Sequence, residues 1–399
     1  MSRLRFASAG ESHGPAEICI IDGIPAGLAL DPAVIDVDLA RRQRGYGRGG
    51  RMAIETDRVR VLAGIRLGRT LGTPICLMVE NLDHQSWRPQ MQPEPFPGWT
   101  PERMTVPRPG HADLGGLAKF GHEDIRDVLE RASARETVAR VAAGAVARTL
   151  LREVGVEIRG FVRGIGGVTI PMDFAGMSPA EVDWDAVESS DCACPDPGVE
   201  IAMRAAIDRA RERGESLGGV FEIWAWGLCP GIGGYGSPGD RLDGRLMGAV
   251  GSIPAIKGVE VGLGFRAAGL HGSAVHDPLL PSIPPGQSVL RGTNRAGGLE
   301  GGLTNGMPLV LRAAMKPIPT LTAALASVDL RDGAAASAHR ERSDIEAVAA
   351  ARVVGEAMVA LELADAYLQK FGGDSVQEFA GAVARYEETL GERGLWRRS

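Results

Sequence analysis

The chain has 399 residues, a formal net charge of −6, and ordinary hydrophobic (44%) and charged (24%) content. That is enough to bury a large core as one domain or two, and it argues against a disordered tail or a wholly basic nucleic-acid binder. The N-terminus has no charged-then-apolar signal and no apolar run approaches the ~18 residues of a membrane span, which predicts a cytoplasmic protein without membrane contact. Glycine is the departure from the average: 55 residues is about twice the usual share of ~7%, as expected where many tight turns and close backbone approaches are needed. Five cysteines, none in a CxxC pair, read as reduced thiols. Cys192 and Cys194 flank an alanine in a polar segment, where no nearby histidine supports a metal role.

In chain order, Gly10-Glu11-Ser12-His13-Gly14 comes first. It fits the G-x-S-x-G elbow of serine hydrolases, but only one short strand can precede it, whereas that elbow follows several strands of a parallel sheet. His13 is therefore the better candidate for chemistry. Residues 41–51, Arg-Arg-Gln-Arg-Gly-Tyr-Gly-Arg-Gly-Gly-Arg, put five arginines and no acid into one glycine-rich stretch of an acidic chain. Guanidinium stays charged at any working pH and grips carboxylate or phosphate with paired hydrogen bonds, so the stretch predicts a local anion site. Residues 84–110, rich in proline and tryptophan, read as a long surface excursion. Its end, Arg108-Pro-Gly-His111-Ala-Asp113, places a second histidine on a turn. His13 and His111 sit in glycine-flanked loops suited to proton transfer near neutral pH; His84, His122, His271, His276 and His339 read as ordinary hydrogen-bonding residues.

Three segments fit the capping box that opens a helix: Ser133-Ala-Arg-Glu136, Ser343-Asp-Ile-Glu346 and Ser375-Val-Gln-Glu378. The helix after the second should stop at Gly372-Gly373. Arg131-Ala-Ser133-Ala-Arg135 at a helix start suits a phosphate as well as a cap. Residues 171–198 read as a polar connection and a seam between halves. Gly231-Ile-Gly-Gly-Tyr-Gly236 matches the dinucleotide fingerprint, but Pro230 and Pro238 interrupt the strand-turn-helix it needs, which leaves a structural turn. Lys316-Pro-Ile-Pro-Thr320 adds a lysine and a hydroxyl after a strand.

The halves echo each other. Gly23-Ile-Pro-Ala-Gly27-Leu28 has a counterpart in Gly227-Leu-Cys-Pro-Gly231-Ile232, and Gly64, Gly68, Gly72 and Pro74 match Gly298, Gly302, Gly306 and Pro308. This predicts a duplicated unit within a single α+β core spanning 1–399, with halves of about 1–200 and 201–399 and a ligand site between them.

Taken together, Gly10–Gly14, Gly45-Tyr-Gly-Arg48, Arg108–Asp113, Arg131–Thr137, Ile253-Pro-Ala-Ile-Lys-Gly258, Asn294-Arg-Ala-Gly-Gly298, Met315-Lys-Pro-Ile318 and Arg342-Ser-Asp344 resemble the chorismate synthase family in order and spacing. The resemblance runs from residue 6 to about 373. One departure follows Asp344, where Ile-Glu-Ala-Val-Ala stands in place of the family's more usual cysteine- and proline-containing continuation. The resemblance implies a lyase that eliminates phosphate from 5-enolpyruvylshikimate 3-phosphate (EPSP) in an anti-1,4 sense, the last step of the shikimate pathway towards aromatic amino acids. It implies reduced FMN, no metal, NADPH as an indirect reductant, and a β–α–β sandwich with helices between two antiparallel sheets, assembled as a homotetramer. By the same resemblance, His13 protonates the departing phosphate, His111 adjusts the flavin's protonation and Asp344 acts as proton acceptor. Arg42, Arg48 and Arg135 fall where the family binds substrate or NADP. Arg131, Ala132, Ser133, Pro254, Ala255, Gly301, Lys316, Pro317, Ile318, Pro319, Thr320 and Arg342 fall where it binds FMN. No long insertion suggests a built-in flavin reductase, so an external reductase is expected. The rival from another class is an RNA-binding RGG segment at 44–51, disfavoured by its shortness and by the acidic chain, and no nucleic-acid partner is expected.

Overall fold

The computed structural model describes residues 3–49, 55–95, 97–98, 100–171, 177–282, 286, 288–339 and 344–398. The first half comprises β1 (Arg5–Ala9), β2 (Ala16–Asp22), α1 (Pro32–Gln43), β3 (Val59–Ala63), β4 (Ile65–Arg66), β5 (Arg69–Thr70), β6 (Ile75–Glu80), α2 (His84–Trp87), α3 (Asp113–Phe120), α4 (Arg126–Ala132) and α5 (Thr137–Arg152). There follow β7 (Glu157–Ile165), β8 (Val168–Thr169), α6 (Trp184–Ser189), α7 (Pro197–Glu212), β9 (Gly219–Trp226), α8 (Leu242–Gly251), β10 (Ile256–Val261), α9 (Gly272–Val275), β11 (Leu279–Pro281) and β12 (Val289–Arg291). The chain ends with β13 (Leu299–Glu300), β14 (Leu303–Thr304), β15 (Leu309–Met315), β16 (Ala326–Val328), β17 (Ala335–Ser337), α10 (Val348–Phe371) and α11 (Val376–Glu392).

Two antiparallel sheets organise the molecule, in the orders β1-β2-β6-β3 and β10-β15-β9-β7-β8. The alternating Cys19, Ile21 and Ile75, Leu77, Val79 of β2 and β6 are buried, and α5 packs on β1, β2 and β6. On the second sheet α10 packs on β7 and β9, and α5 and α10 pack on each other. Small residues set that approach. A Cβ on Gly144 of α5 would lie 2.3 Å from the Cβ of Ala357, and one on Gly355 of α10 would lie 2.5 Å from Ile223 of β9. Such crowding would force the elements apart.

The glycine echo has matching hydrogen bonds in both halves. Leu28 N–H donates to Thr70 Oγ1, which donates to Pro25 O; Ile232 N–H donates to Thr304 Oγ1, which donates to Cys229 O. Gly27 N–H to Thr70 O has its partner in Gly231 N–H to Thr304 O, both at turn glycines of positive φ. Ile21 faces Ile75 across β2 and β6, as Ala225 faces Leu309 across β9 and β15.

Several expectations change. Residues 84–110 contain α2, which turns back onto the site rather than only skirting the surface. Residues 177–198 hold α6, and Val162 N–H of β7 donates to Ala193 O. Cys192 and Cys194 are fully buried rather than in a polar loop, and burial pushes their thiols up to about 12 and 11. Ser375-Glu378 forms its capping box. Ser133 instead caps a 3-10 turn, Ala134–Glu136, that leads into α5, while Glu136 bonds Arg140. Ser343 lies outside the described residues; α10 begins at Val348, whose N–H donates to Glu346, and ends at Gly372.

Candidate active site

The turn between β1 and β2 needs glycine at its entry: Gly10 has φ +136°, and a Cβ there would lie 2.6 Å from Ala16 O and 2.5 Å from Glu17 Oε2. Asn81 at the end of β6 donates to Glu11 O and Gly14 O, and Ser12 N–H donates to Glu130 O. Ser12 is buried on a hairpin between antiparallel strands, not on the strand-to-helix elbow of a serine hydrolase. His13 is held from three sides. Its Nδ1 lies 2.9 Å from Glu130 Oε1, its backbone N–H donates to Glu130 Oε2 at 2.8 Å, and the Trp87 ring packs 4.2 Å away, centroid to centroid. His84 Nδ1 donates to His13 O. Glu130 is buried, yet hydrogen bonds from His13 and Arg126 overcome the desolvation and hold its carboxyl below the ordinary value.

The second histidine is built in the same way. His111 Nδ1 lies 2.5 Å from Oδ1 of fully buried Asp113. Against the desolvation of burial, hydrogen bonds from His111 and Arg108 hold Asp113 well below the usual carboxylate range. The Gly110 carbonyl accepts from Lys316 Nζ, and Lys316 N–H donates to Ala255 O. Burial, with Lys257 nearby, holds the Lys316 amine below its ordinary value. Ala255 sits at φ +68°, a left-handed conformation that costs a residue with a side chain roughly 1–2 kcal/mol. Ile318 O accepts from Ser216 Oγ, and Pro319 borders Gly110. Thr320 is buried and Pro317 exposed.

The arginine stretch is divided among jobs. Arg41 is buried in an ionic cluster with Glu356 (2.7 Å), Glu188 (2.7 Å) and Asp38, so it is a core residue rather than part of an open anion site. Arg42 is buried too: it donates to Thr137 Oγ1 and Ala134 O and lies 3.4 Å from Asp57, and burial lowers its guanidinium to about 10. Arg44 reaches Glu188 O, and Arg51 lies outside the described residues. Arg48 pairs with Asp344 at 2.8 Å, and Gly49 N–H donates to the same carboxylate at 2.5 Å. Tyr46 bonds Asp208 and lies under Arg204 and Arg211, fixing the loop to α7.

Arg131 donates to Ser8 O and Oγ and to Gly10 O, while Arg135 is buried on Asn81, Asp57 and Glu80 O. Arg131, Ala132 and Pro254 line one cavity of about 500 Å³ with Phe6, Ser8 and Arg140. Beside it lies Glu17, whose two carboxyl oxygens receive no hydrogen bond among the described residues, although Arg131 lies 3.5 Å away. Burial pushes Glu17 up to about 7, and Glu346 behind Arg48 likewise to about 7.

His13, Arg42, Arg131, Ser133 and Arg135 thus form one bonded neighbourhood; His111, Ala255 and Lys316–Thr320 form a second, joined to the first by Pro254 at the cavity. Arg48 and Asp344 form a third. Gly301 stands apart at the exposed tip of the β13–β14 hairpin, and Arg342 lies outside the described residues. The Gly231–Gly236 turn pairs with that hairpin, where a Cβ on Gly233 would strike Gly302 O at 2.4 Å, so it is structural. Glu130, Asp113, Arg126, Trp87 and His84, which the sequence did not single out, surround the two candidate histidines; a carboxylate two residues past a turn histidine, as in His111-Ala-Asp113, was the available signal. Among the described residues there is no cluster of three or more His, Cys, Asp or Glu able to hold a metal, and no helix long and apolar enough to cross a membrane.

A chorismate synthase family model matches residues 4–368. The chorismate synthase of Desulforudis audaxviator is 54% identical over 392 residues, covering 97% of this chain and 98% of that protein. That of Rubrobacter xylanophilus is 51% identical over 389 residues, covering 98% of each. A chorismate synthase crystal structure aligns with a TM-score of 0.79 and 41% identity, over 98% of this chain and 99% of that one. The chain belongs to the chorismate synthase family, lyases of the shikimate pathway.

Proposed function

We propose that this chain eliminates phosphate from EPSP in an anti-1,4 sense to give chorismate, using reduced FMN. The observation that carries the reading is the pair of turn histidines, His13 and His111, each with Nδ1 on a buried carboxylate; the turn of His13 is bonded to Arg131, and that of His111 through Lys316 to Ala255, next to Pro254, and Arg131 and Pro254 both line the cavity. The cavity has apolar walls in Phe6, Ala249 and Met358, and a mixed polar rim in which Arg131 and Arg140 stand beside Glu136 and Glu362, with Arg140 paired to Glu136 at 3.0 Å. The chemistry supplied by reduced FMN, when bound, is transient electron donation with no net redox change. Arg131, Ala132, Ser133, Pro254, Ala255 and Lys316–Thr320 are the residues proposed to hold it, with Gly301 and Arg342.

The substrate carries two carboxylates and a phosphate, and its charge calls for fixed cations. Arg48 is the proposed direct contact; Arg42 and Arg135, buried behind it, lend field and hold the 134–137 turn. His13 gives the proton from Nε2 to the phosphate oxygen as the C–O bond breaks. Asp344, kept in place by Arg48 and Gly49, is the acceptor on the side where the ring proton leaves. His111, tied through Gly110 to Lys316, sets the protonation of the flavin side.

The sheet–helix–sheet contacts of α5 and α10 support a β–α–β sandwich, and the doubled Thr70 and Thr304 networks support an internal pseudo-repeat within one unit spanning 1–399. We further propose a cytoplasmic homotetramer served by an external flavin reductase, with NADPH as indirect reductant. An anaerobic assay with EPSP and dithionite-reduced FMN, repeated with NADPH and oxidised FMN, tests this: the first mixture yields chorismate and the second does not. Inactivity of the first mixture overturns the reading.

A further inference from the structure

One residue of α4 governs both the backbone and the ring of His13. The Glu130 carboxylate reaches Nδ1 with both oxygens, at 2.9 and 3.1 Å, and takes the His13 backbone N–H at 2.8 Å, while its own carbonyl takes Ser12 N–H. Arg126, one turn earlier, donates to Glu130 at 3.0 Å and lies over Trp87, which covers the His13 ring. No hydrogen-bond partner of Nε2 occurs among the described residues.

We propose that Glu130 is the positioning residue for His13, fixing the proton of the neutral ring on Nδ1 so that Nε2 is the atom that delivers and regains the catalytic proton. The inference rests on the proposed elimination. As the C–O bond breaks, the Nε2 proton passes from the imidazolium to the phosphate oxygen, and the ring is left neutral, keeping its Nδ1–H hydrogen-bonded to Glu130. Glu130 stays ionised throughout, and solvent restores Nε2. The charged and titratable groups around His13 are Glu130 on its ring, Arg126 behind Glu130, His84 on its backbone carbonyl and Glu11 of its own turn, against Gly14. A carboxylate can only accept at Nδ1 and so fixes the Nδ1–H tautomer of the neutral ring, whereas an amide can also turn its NH2 group to Nδ1 and does not fix it.

The experiment compares wild type with Glu130→Gln and Glu130→Asp. Each is labelled with 15N-histidine, and His13→Ala identifies the His13 signal among the seven histidines. In wild type the neutral His13 ring carries its proton on Nδ1. In Glu130→Gln that tautomer preference is lost, kcat falls about ten- to hundred-fold, and KM stays near wild type. Glu130→Asp keeps the charge but withdraws it from the ring, and lowers kcat. If Glu130→Gln does not fold, Glu130→Asp decides: wild-type kcat and an unchanged tautomer in that variant overturn the proposal. In a folded Glu130→Gln, an unchanged tautomer also overturns it. The NMR measurement needs no substrate, so absence of chorismate formation by wild type counts against the proposed function and not against the His13–Glu130 pairing.

Discussion

Arg48 Nη1 lies 2.8 Å from Asp344 Oδ2, so the end of the arginine stretch and the acid before α10 form one unit. An anion that reaches Arg48 therefore does so beside a carboxylate already held by that arginine and by Gly49 N–H. The pairing gives each residue a distinct expected phenotype. Arg48→Ala weakens EPSP binding about ten- to hundred-fold, the worth of a charge-assisted hydrogen bond. Asp344→Asn leaves binding within a few-fold and lowers kcat by about 10²–10⁴. Substrate binding and single-turnover rates measured separately on the two variants check the division.

His13→Ala and His111→Ala each lower turnover by about ten- to ten-thousand-fold, the range of lost acid–base assistance. FMN binding, followed by flavin fluorescence, persists in both. Near-normal turnover in both variants would remove the histidines from the chemistry.

Glu17 makes stability depend on pH. Burial raises its carboxyl from the ordinary 4.5 to about 7. The folded chain therefore keeps a proton that the unfolded chain has already released. Stability from this group is full below about pH 4.5, falls as pH rises towards 7, and then levels off. Glu17→Gln removes the cost, which is at most about 3 kcal/mol. The variant melts higher than wild type at pH 8, and the difference shrinks at pH 5; calorimetry at both values measures it.

Glu356 is the hub of the buried cluster, with Arg41 at 2.7 Å, Arg148 at 3.0 Å and Arg352 at 3.8 Å. Glu356→Ala takes the shared carboxylate from three buried guanidinium groups of α1, α5 and α10, leaving them Asp38, Glu188 and Gly160 O, and costs about 3–5 kcal/mol. Denaturant unfolding gives the value, and a loss under 1 kcal/mol would show that the cluster relaxes or hydrates.

What could be read from the sequence follows what is local. The turn glycines at 27, 64, 68 and 72 and their counterparts stand out because positive φ restricts the residue choice, and each does adopt positive φ. The capping box at Ser375 and the stop at Gly372 are equally local. Arg41 could not be placed, because an arginine run reads as surface until its buried partners Glu188 and Glu356, far away in sequence, are known. Glu130 was missed for the same reason, being one acid among several charged residues on a short helix. Trp87 and His84 were hidden because α2 is four residues long, too short to leave a helical period.

The most direct measurement is the stoichiometry of the reaction under anaerobic conditions, with EPSP in excess over enzyme, FMN and dithionite. The account predicts chorismate and phosphate in equal amounts over many turnovers, with no reductant consumed per turnover. Phosphate released without chorismate, or reductant consumed in step with product, would contradict it.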